Sequence, residues 1–202
     1  MVGITGGMAS GKSSLAAVLR RRGASIYSVD QAAHALYLPG KPAWRKIIAG
    51  FGRRVVAPDG SIDRRALGKA VYGNAAMMRR LERILHRPLA VLAAAAIRRM
   101  SLRHRLVVVE AGPILFKLKL DRLANLVVVT ECGIKERIRR LSRSSGLPRP
   151  AAKRRIGSFT RVDRSLPRQA AATGRGMTVR TDWPPARLDA AADAVLGRIG
   201  WV

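Results

Sequence analysis

The amino-acid sequence predicts an α/β fold in which a five-stranded parallel sheet lies between two layers of helices. Short apolar runs alternate with amphipathic segments along the chain, and most of these runs are continuous, as in strands that are covered on both faces. A glycine-rich loop separates the first apolar run from the first amphipathic segment. With 202 residues, of which 48% are hydrophobic, the chain is long enough to form one domain around a sizeable core.

Five segments have the composition of strands. They cover residues 1–5, 25–29, 106–109 and 126–129, with a weaker fifth at 177–179. Apolar residues at helical spacing separate them and predict helices over 14–22, 43–49, 63–71, 75–85 and 88–100, followed by two basic helices over 134–143 and 151–156. Pro42 precedes one helix and Pro88 begins another, which is where proline is tolerated best.

The strand positions divide this single domain into three parts. We expect the core to comprise residues 1–30, 105–132 and 169–202. The long stretch 31–104 has helix signals only, which predicts a helical substrate-binding insertion over the carboxyl ends of the strands, where open α/β sheets bind ligands. The basic stretch 133–168 predicts a small lid that brings arginines to a phosphate site, with a solvated basic surface as the alternative.

A phosphate-binding loop follows the first strand. Gly6 to Ser13 completes the pattern G-x-x-x-x-G-K-[ST], in which glycines let successive backbone N–H groups turn toward phosphate oxygens. Lys12 supplies a positive charge for the β- and γ-phosphates, and Ser13 supplies an oxygen for Mg²⁺. The helix that starts here adds its positive N-terminal end. The sequence therefore predicts a nucleoside-triphosphate site.

Two acidic residues follow predicted strands and are candidates for chemistry. Asp30 comes directly after the second strand and can orient an acceptor hydroxyl and take its proton, although an Asp in this place is also a common helix N-cap. His34 lies one helical turn later and can face the same cleft. Glu110 ends the third strand, where it can hold a water on Mg²⁺ or orient the substrate.

The charge balance raises a second class of function. The chain has 39 Lys and Arg against 12 Asp and Glu, a net charge of +27. Such an excess attracts polyanions and keeps a nucleic-acid-binding role open. The basic residues are spread along the whole chain without interleaved aromatics, however, and the excess also suits small polyanionic substrates. We therefore expect a small-molecule site and no nucleic-acid partner.

Composition also bounds the location of the protein. No run of about eighteen apolar residues is present, and the first strand leaves no room for a signal peptide, so we expect a cytoplasmic protein with no membrane partner. Cys132 is the single cysteine, which excludes an intramolecular disulfide and favours a small core filler. The sequence leaves the oligomeric state open, and we favour a monomer.

The order and spacing of several blocks resemble the dephospho-coenzyme A kinase family. The resemblance covers roughly residues 2–143, and its blocks include 4–14, 29–34, 39–43, 51–52, 59–68, 71–72 and 81–86. The resemblance implies a three-layer P-loop kinase core with a helical substrate-binding insertion and a lid. It also implies transfer of the γ-phosphate of ATP to the 3′-hydroxyl of dephospho-coenzyme A, with ATP and Mg²⁺ as the cofactors.

The resemblance also implies roles for individual residues. Asp30 would be the catalytic base, assisted by Lys12. His34, Arg64 and His86 would lie in or near the substrate pocket, to which we add Glu110. Arg139 and Arg143 match the spaced arginines of the family's lid helix, with Arg140 as a neighbour that suits either role. The ATP loop would comprise Thr5, Gly6, Gly7, Met8, Ala9, Ser10, Gly11, Lys12, Ser13 and Ser14.

Two other functions remain compatible with the sequence. A basic nucleic-acid-binding or non-catalytic P-loop relative would bind DNA or RNA with a steep dependence on salt. A kinase for another small hydroxyl metabolite would share the mechanism and differ in the helical insertion. A coupled assay that offers several acceptors separates these alternatives.

Overall fold

A computed structural model describes residues 1–182 and 186–201. Its sheet contains five parallel strands, which confirms the predicted fold class: β1 (Val2–Gly6), β2 (Ser25–Ser28), β3 (Val107–Glu110), β4 (Leu126–Glu131) and β5 (Gly176–Arg180). The strand order is β2-β3-β1-β4-β5, so β1 lies in the centre. In the register, Ile4 pairs with Glu110 and Gly6 pairs with Thr130.

The described chain contains ten α-helices and two short 3₁₀ segments at Arg53–Val55 and Leu120–Leu123. The helices are α1 (Lys12–Arg21), α2 (Val29–Leu36), α3 (Pro42–Phe51), α4 (Arg64–Val71), α5 (Ala75–Arg103), α6 (Ile114–Lys117), α7 (Ile134–Ser145), α8 (Arg149–Gly157), α9 (Thr160–Ala172) and α10 (Ala186–Arg198). No helix in the described residues is long and apolar enough to cross a membrane.

The prediction of separate helices at 75–85 and 88–100 is wrong. A single helix, α5, runs through Pro88. The proline removes one hydrogen-bond donor, but apolar residues continue at helical spacing on both sides of it, including the fully buried Leu89 and Ala93. Burial of this face outweighs the local cost of the proline. The prediction that Val29 ends β2 is also wrong, because Val29 is the first residue of α2.

Helices α9 and α10 were not expected from the sequence. Pro167 lies inside α9 and argues locally against a helix there, and α10 is rich in alanine and charged residues, so its apolar spacing is weak. Leu166 and Ala170 of α9 are nevertheless buried, as are Val195 and Leu196 of α10. Tertiary packing, rather than local preference, stabilises these two helices.

Residue contacts divide the chain into two compact units, Met1–Ser28 with Ala96–Val202 and Val29–Ala95. The first unit contains the whole sheet. On one face of the sheet, α1 and α10 pack on Ile4, Val108 and Val128. On the other face, Leu115 of α6 fits against Gly3, and α9 contacts β4 and β5. Helices on both faces explain why every residue of β1 is buried.

The second unit has its own apolar core, formed by Ile47 and Phe51 of α3, Leu67 and Val71 of α4 and their neighbours. Asp63 caps α4, and its Oδ1 atom accepts hydrogen bonds from the backbone N–H groups of Arg65 at 2.8 Å and Ala66 at 3.1 Å. This cap fixes the start of the helix at Arg64, one of the residues implied in substrate binding.

A pair of glycine substitutions tests the packing of β5. A side-chain carbon at Gly176 would lie 2.5 Å from the backbone carbon of Ala170, so we expect Gly176→Ala to lower the free energy of unfolding by roughly 1–3 kcal/mol. The same change at the exposed Gly197 in α10 meets no atom within 4 Å and should raise it by about 0.5–1 kcal/mol. Urea unfolding measures both effects. A Gly176→Ala variant as stable as the parent would contradict the packing described here.

Candidate phosphate-binding site

The loop between β1 and α1 has the backbone shape that its sequence predicts. Gly11, the N-cap residue of α1, has φ of 90°, a value that favours glycine. Lys12 opens the helix, and its Nζ atom donates hydrogen bonds to the carbonyl oxygens of Gly6 at 3.1 Å and Gly7 at 2.8 Å. The ammonium group therefore lies over the loop, where it can serve as a counter-charge for a bound phosphate.

Hydroxyl groups join the loop to the neighbouring strands. The Ser10 and Thr130 hydroxyl oxygens lie 2.7 Å apart, and Thr130 also donates to the carbonyl oxygen of Thr5 at 3.2 Å. The hydroxyl of Thr5 donates to the carbonyl of Gly112 at 2.9 Å. Thr5 and Ser10, both assigned to the ATP loop from the sequence, thus use their side chains to hold the loop on the sheet.

Ser13 and Glu110 form a pair of oxygen donors beside the loop. The Ser13 hydroxyl donates to Oε1 of Glu110 at 2.5 Å. The parallel register places Glu110 opposite Ile4 and so beside the strand that enters the loop. In the described residues, no three His, Cys, Asp or Glu side chains form a metal-binding group. A cation here would therefore have one hydroxyl and one carboxylate from the protein.

Thr181, which follows β5, also supports the loop. It was not among the residues predicted from the sequence. Its hydroxyl donates to the carbonyl oxygen of Ser10 at 2.5 Å, and its own carbonyl accepts from Nη2 of Arg140 at 2.5 Å. Within the part of the chain that is described, the buried Nη1 atom of Arg140 has no hydrogen-bond partner. The same Nη1 atom lies beside Gly11 of the loop.

The arginines of α7 lie on two different faces of the helix. Arg139 is exposed and donates to both carboxylate oxygens of Glu136, at 2.7 and 2.6 Å, and Arg143 is exposed one turn later. The hydrogen bond from Arg139, supported by Arg140, lowers the pKa of Glu136 to about 2.

Arg137 and Arg140, by contrast, contact the loop region. Arg137 donates from Nε to the carbonyl oxygen of Met8 at 2.8 Å and from Nη2 to Asp163 at 2.5 Å. Neither Arg137 nor Asp163 was predicted from the sequence. Helical spacing could have indicated Arg137, because it lies one turn before the buried Leu141.

In the second unit, three residues that the sequence analysis assigned to the substrate pocket interact with one another. Burial lowers the pKa of His34, the positive charge of Arg64 lowers it further, and the negative charge of Asp30 raises it in part. Asp30 lies in the first turn of α2 and is exposed. The ring of His34 packs edge-on against Tyr37, with centroids 5.7 Å apart.

His86, the fourth of these residues, is on α5. Its Nε2 atom lies 4.0 Å from the carboxylate of Glu82, one turn earlier on the helix. The side chains of His86 and Glu82 also line an open depression together with Arg79, Arg83 and Arg87. His86 therefore has a strongly basic setting with one acidic neighbour.

A larger cavity of about 790 Å³ lies between α2, α3 and α5. Its apolar lining includes Val91 and Leu92, which are 68% and 42% exposed. Four cationic side chains surround it, Lys41, Lys46, Arg83 and Arg87, and no acidic residue of the described chain lines it. We call this feature the α2–α3–α5 cavity. Its chemistry suits a ligand that combines negative charge with an apolar portion.

Comparison with known proteins gives a consistent result. A model of the dephospho-CoA kinase family matches residues 1–171. The dephospho-CoA kinase of Geobacter metallireducens is 37% identical over 164 residues, which cover 81% of each chain. The dephospho-CoA kinase of Moorella thermoacetica is 31% identical over 211 residues, which cover 100% of this chain and 99% of the relative. A crystal structure of a Thermus thermophilus protein superposes with a TM-score of 0.75 at 26% identity, over 98% of this chain and 96% of that one.

Substitution of Thr181 tests its support of the loop. Thr181→Val keeps the shape of the side chain but removes the hydrogen bond to the buried carbonyl of Ser10, so we expect the free energy of unfolding to fall by about 1–3 kcal/mol. Thr178→Val on the exposed side of β5 is the matched control and should change it by less than about 0.5 kcal/mol. Urea unfolding of both variants is the measurement. Equal stability of the two would show that the Thr181 hydroxyl does not support the loop.

Proposed function

We propose specific roles for the residues described above. The chain to which they belong is a member of the dephospho-CoA kinase family. The protein is a kinase, and its reaction is the ATP-dependent phosphorylation of dephospho-coenzyme A in coenzyme A biosynthesis. The observation that carries this conclusion is the match of the family model to residues 1–171, which include the complete phosphate loop.

The phosphate loop, residues 5–14, binds the triphosphate of ATP. Backbone N–H groups and the start of α1 supply the anion site, and Lys12 moves its ammonium group from the carbonyls of Gly6 and Gly7 to the β- and γ-phosphates. Arg139 and Arg143 approach ATP from the basic helix α7. Arg140 takes part through its buried Nη1 atom.

Mg²⁺ fits the pair formed by Ser13 and Glu110. The two residues offer hard oxygen donors, which Mg²⁺ prefers, and Mg²⁺ usually takes few protein ligands because water and substrate phosphates fill its other positions. When bound, the ion would neutralise charge on the β- and γ-phosphates. Ser13 is the direct ligand in this proposal, and Glu110 holds a coordinated water or orients the substrate.

Asp30 acts as the general base. Its carboxylate accepts the proton of the 3′-hydroxyl while the hydroxyl oxygen forms a bond to the γ-phosphorus. The bond between the γ-phosphorus and the bridging oxygen breaks, and ADP leaves with that oxygen. His34, Arg64 and His86 hold the acceptor. The lowered pKa of His34 keeps its ring neutral at pH 7, so that one ring nitrogen donates a hydrogen bond and the other accepts one.

The α2–α3–α5 cavity binds the remainder of the substrate. Dephospho-coenzyme A has a 5′-diphosphate and an uncharged arm that extends from it. Lys41, Lys46, Arg83 and Arg87 match the charge of the diphosphate, and the exposed Val91 and Leu92 match the arm. The cavity begins at Ala35 on the same helix as Asp30, about 8 Å along its axis.

Further parts of the proposal concern the setting of the enzyme. We place the reaction in the cytoplasm, which supplies ATP, and we expect the enzyme to act as a monomer without a nucleic-acid partner. Salt-dependent binding to DNA or RNA together with no turnover would favour the non-catalytic alternative. Turnover of another hydroxyl compound in preference to dephospho-coenzyme A would favour a different kinase.

Activity measurements test the two central residues. Asp30→Asn should lower kcat for dephospho-coenzyme A by about 10²- to 10⁴-fold, because the acceptor loses its base. Lys12→Ala should raise KM for ATP and lower kcat, because a charge on the phosphates is lost. The assay couples ADP release at saturating Mg²⁺, varies ATP for Lys12→Ala and holds ATP at saturation for Asp30→Asn, and it offers dephospho-coenzyme A beside adenosine, shikimate and nucleoside monophosphates.

Exposed residues provide matched controls for that experiment. Asp189→Asn and Lys153→Ala remove the same charges from exposed positions and should leave kcat within about twofold of the parent. Folded protein that leaves dephospho-coenzyme A unchanged would rule out the proposed reaction. An Asp30→Asn variant that keeps more than about a tenth of the parent kcat would rule out Asp30 as the base but would leave the proposed reaction in place.

Kinetics with a shortened acceptor test the cavity. Lys46→Ala, Arg87→Ala and Val91→Asp should each raise KM for dephospho-coenzyme A by about tenfold or more, because they remove a charge-assisted contact or place a negative charge in the cavity. With adenosine, which lacks the diphosphate and the arm, the same variants should match the parent. Lys69→Ala, exposed on α4, is the control. Equal effects on both acceptors would exclude the cavity from substrate binding.

A further inference from the structure

A carboxylate lies against the phosphate loop, where its charge is unfavourable for a site that binds phosphates. Asp163 is in the first turn of α9, and its side chain is only 9% exposed. Its Oδ2 atom borders Gly7 so closely that a side-chain carbon at Gly7 would collide with it. A buried negative charge at this distance repels a polyphosphate in the loop strongly, because little water screens it.

Arg137 compensates this charge. Its side chain is 13% exposed, and its Nη2 atom donates to Oδ2 of Asp163 at 2.5 Å. The Nε atom of the same guanidinium donates to the carbonyl oxygen of Met8 at 2.8 Å. One planar group therefore binds the carboxylate on α9 and the backbone of the loop at the same time.

The carboxylate depends on this one partner to an unusual degree. In the described residues, the buried Oδ1 atom of Asp163 accepts no hydrogen bond. Removal of the guanidinium would therefore leave a buried, uncompensated anion beside Gly7, which is more costly than the absence of the whole pair. The loop would lose the hydrogen bond to the Met8 carbonyl oxygen. At the same time, the uncompensated charge of Asp163 would repel a bound phosphate.

We propose that Arg137 and Asp163 form a charge-neutral brace that positions the phosphate loop for ATP. Asp163 orients the guanidinium, the guanidinium holds the Met8 carbonyl from outside the loop, and the two charges cancel so that the phosphates meet no net negative charge there. Both are positioning residues, because they act on ATP through the loop. The inference rests on the proposed function only in taking ATP as the ligand of the loop.

If the brace forms, substitutions of Arg137 and Asp163 should change the affinity for ATP in opposite directions. Arg137→Met should weaken ATP binding by about ten- to a hundredfold, because Asp163 then repels the phosphates. Asp163→Asn should leave ATP affinity unchanged or raise it up to about tenfold, because Arg137 then adds a positive charge near the loop, although the melting temperature falls. A purely structural pair would lower stability and ATP affinity together in both variants.

A double variant and a conservative variant complete the test. Arg137→Met combined with Asp163→Asn should regain most of the lost ATP affinity, because no uncompensated anion remains. Arg137→Lys keeps the positive charge and should bind ATP within about fivefold of the parent. Arg198→Met, which removes an exposed arginine from α10 outside the predicted lid, is the matched control. Steady-state kinetics should show these effects in KM for ATP, with kcat within about threefold of the parent for each folded variant.

Titration calorimetry with Mg²⁺ and ATP reads the affinity without phosphoryl transfer, and thermal melting reports whether each variant folds. If the parent binds ATP but does not phosphorylate dephospho-coenzyme A, the proposed function fails and the brace can still be measured. The brace is refuted if Arg137→Met binds ATP like the parent, or if the double variant binds no better than Arg137→Met. If Arg137→Met does not fold, the Asp163→Asn variant decides, because a large loss of ATP affinity there contradicts the proposal.

Discussion

The burial of β1 between β3 and β4 is the constraint on which the phosphate loop depends. All five residues of β1 are buried, and its register fixes Ile4 opposite Glu110 and Gly6 opposite Thr130. The loop therefore leaves the sheet at a defined point, with a hydroxyl on one side and a carboxylate on the other. Neither the Thr130 bond to Ser10 nor the Glu110 bond to Ser13 would form if the strands paired one residue out of register.

Three of the twelve acidic residues of this basic chain orient arginines on α7 and at the end of β5. Glu136 binds Arg139 and Arg140, and Asp163 binds Arg137. The N–H group of Gly133, together with Arg180, lowers the pKa of Asp182 to about 2. Glu136 and Asp182, with their lowered pKa values, stay ionised at neutral pH. With 39 basic and 12 acidic residues, the remaining positive charge suits substrates that are themselves polyanions.

The second unit, Val29–Ala95, has a different physical character from the first. Its own apolar core holds α3 and α4, and the cap at Asp63 fixes where Arg64 begins the latter helix. Asp30, His34 and Arg64 influence one another electrostatically. The α2–α3–α5 cavity has cations around an apolar lining, so charge and hydrophobic contact can act on different parts of one ligand.

Local sequence patterns were sufficient for the α/β class, the phosphate loop and the family resemblance, because each depends on neighbours along the chain. Strand positions were correct to within about two residues, the usual uncertainty of element boundaries. The continuation of α5 through Pro88 could not be predicted, since burial of Leu89 and Ala93 outweighs the local preference to end a helix there.

The sequence by itself determined the α/β fold class and the family, and it predicted the phosphate loop and Asp30 as the candidate base. Only the tertiary structure decided what supports that loop. Thr181 and Ser10 are 171 residues apart and Arg137 and Met8 are 129 apart, so no local periodicity connects them. The physical reason is that parallel strands bring distant segments to one edge of the sheet, where hydrogen bonds and charge compensation select partners by distance in space.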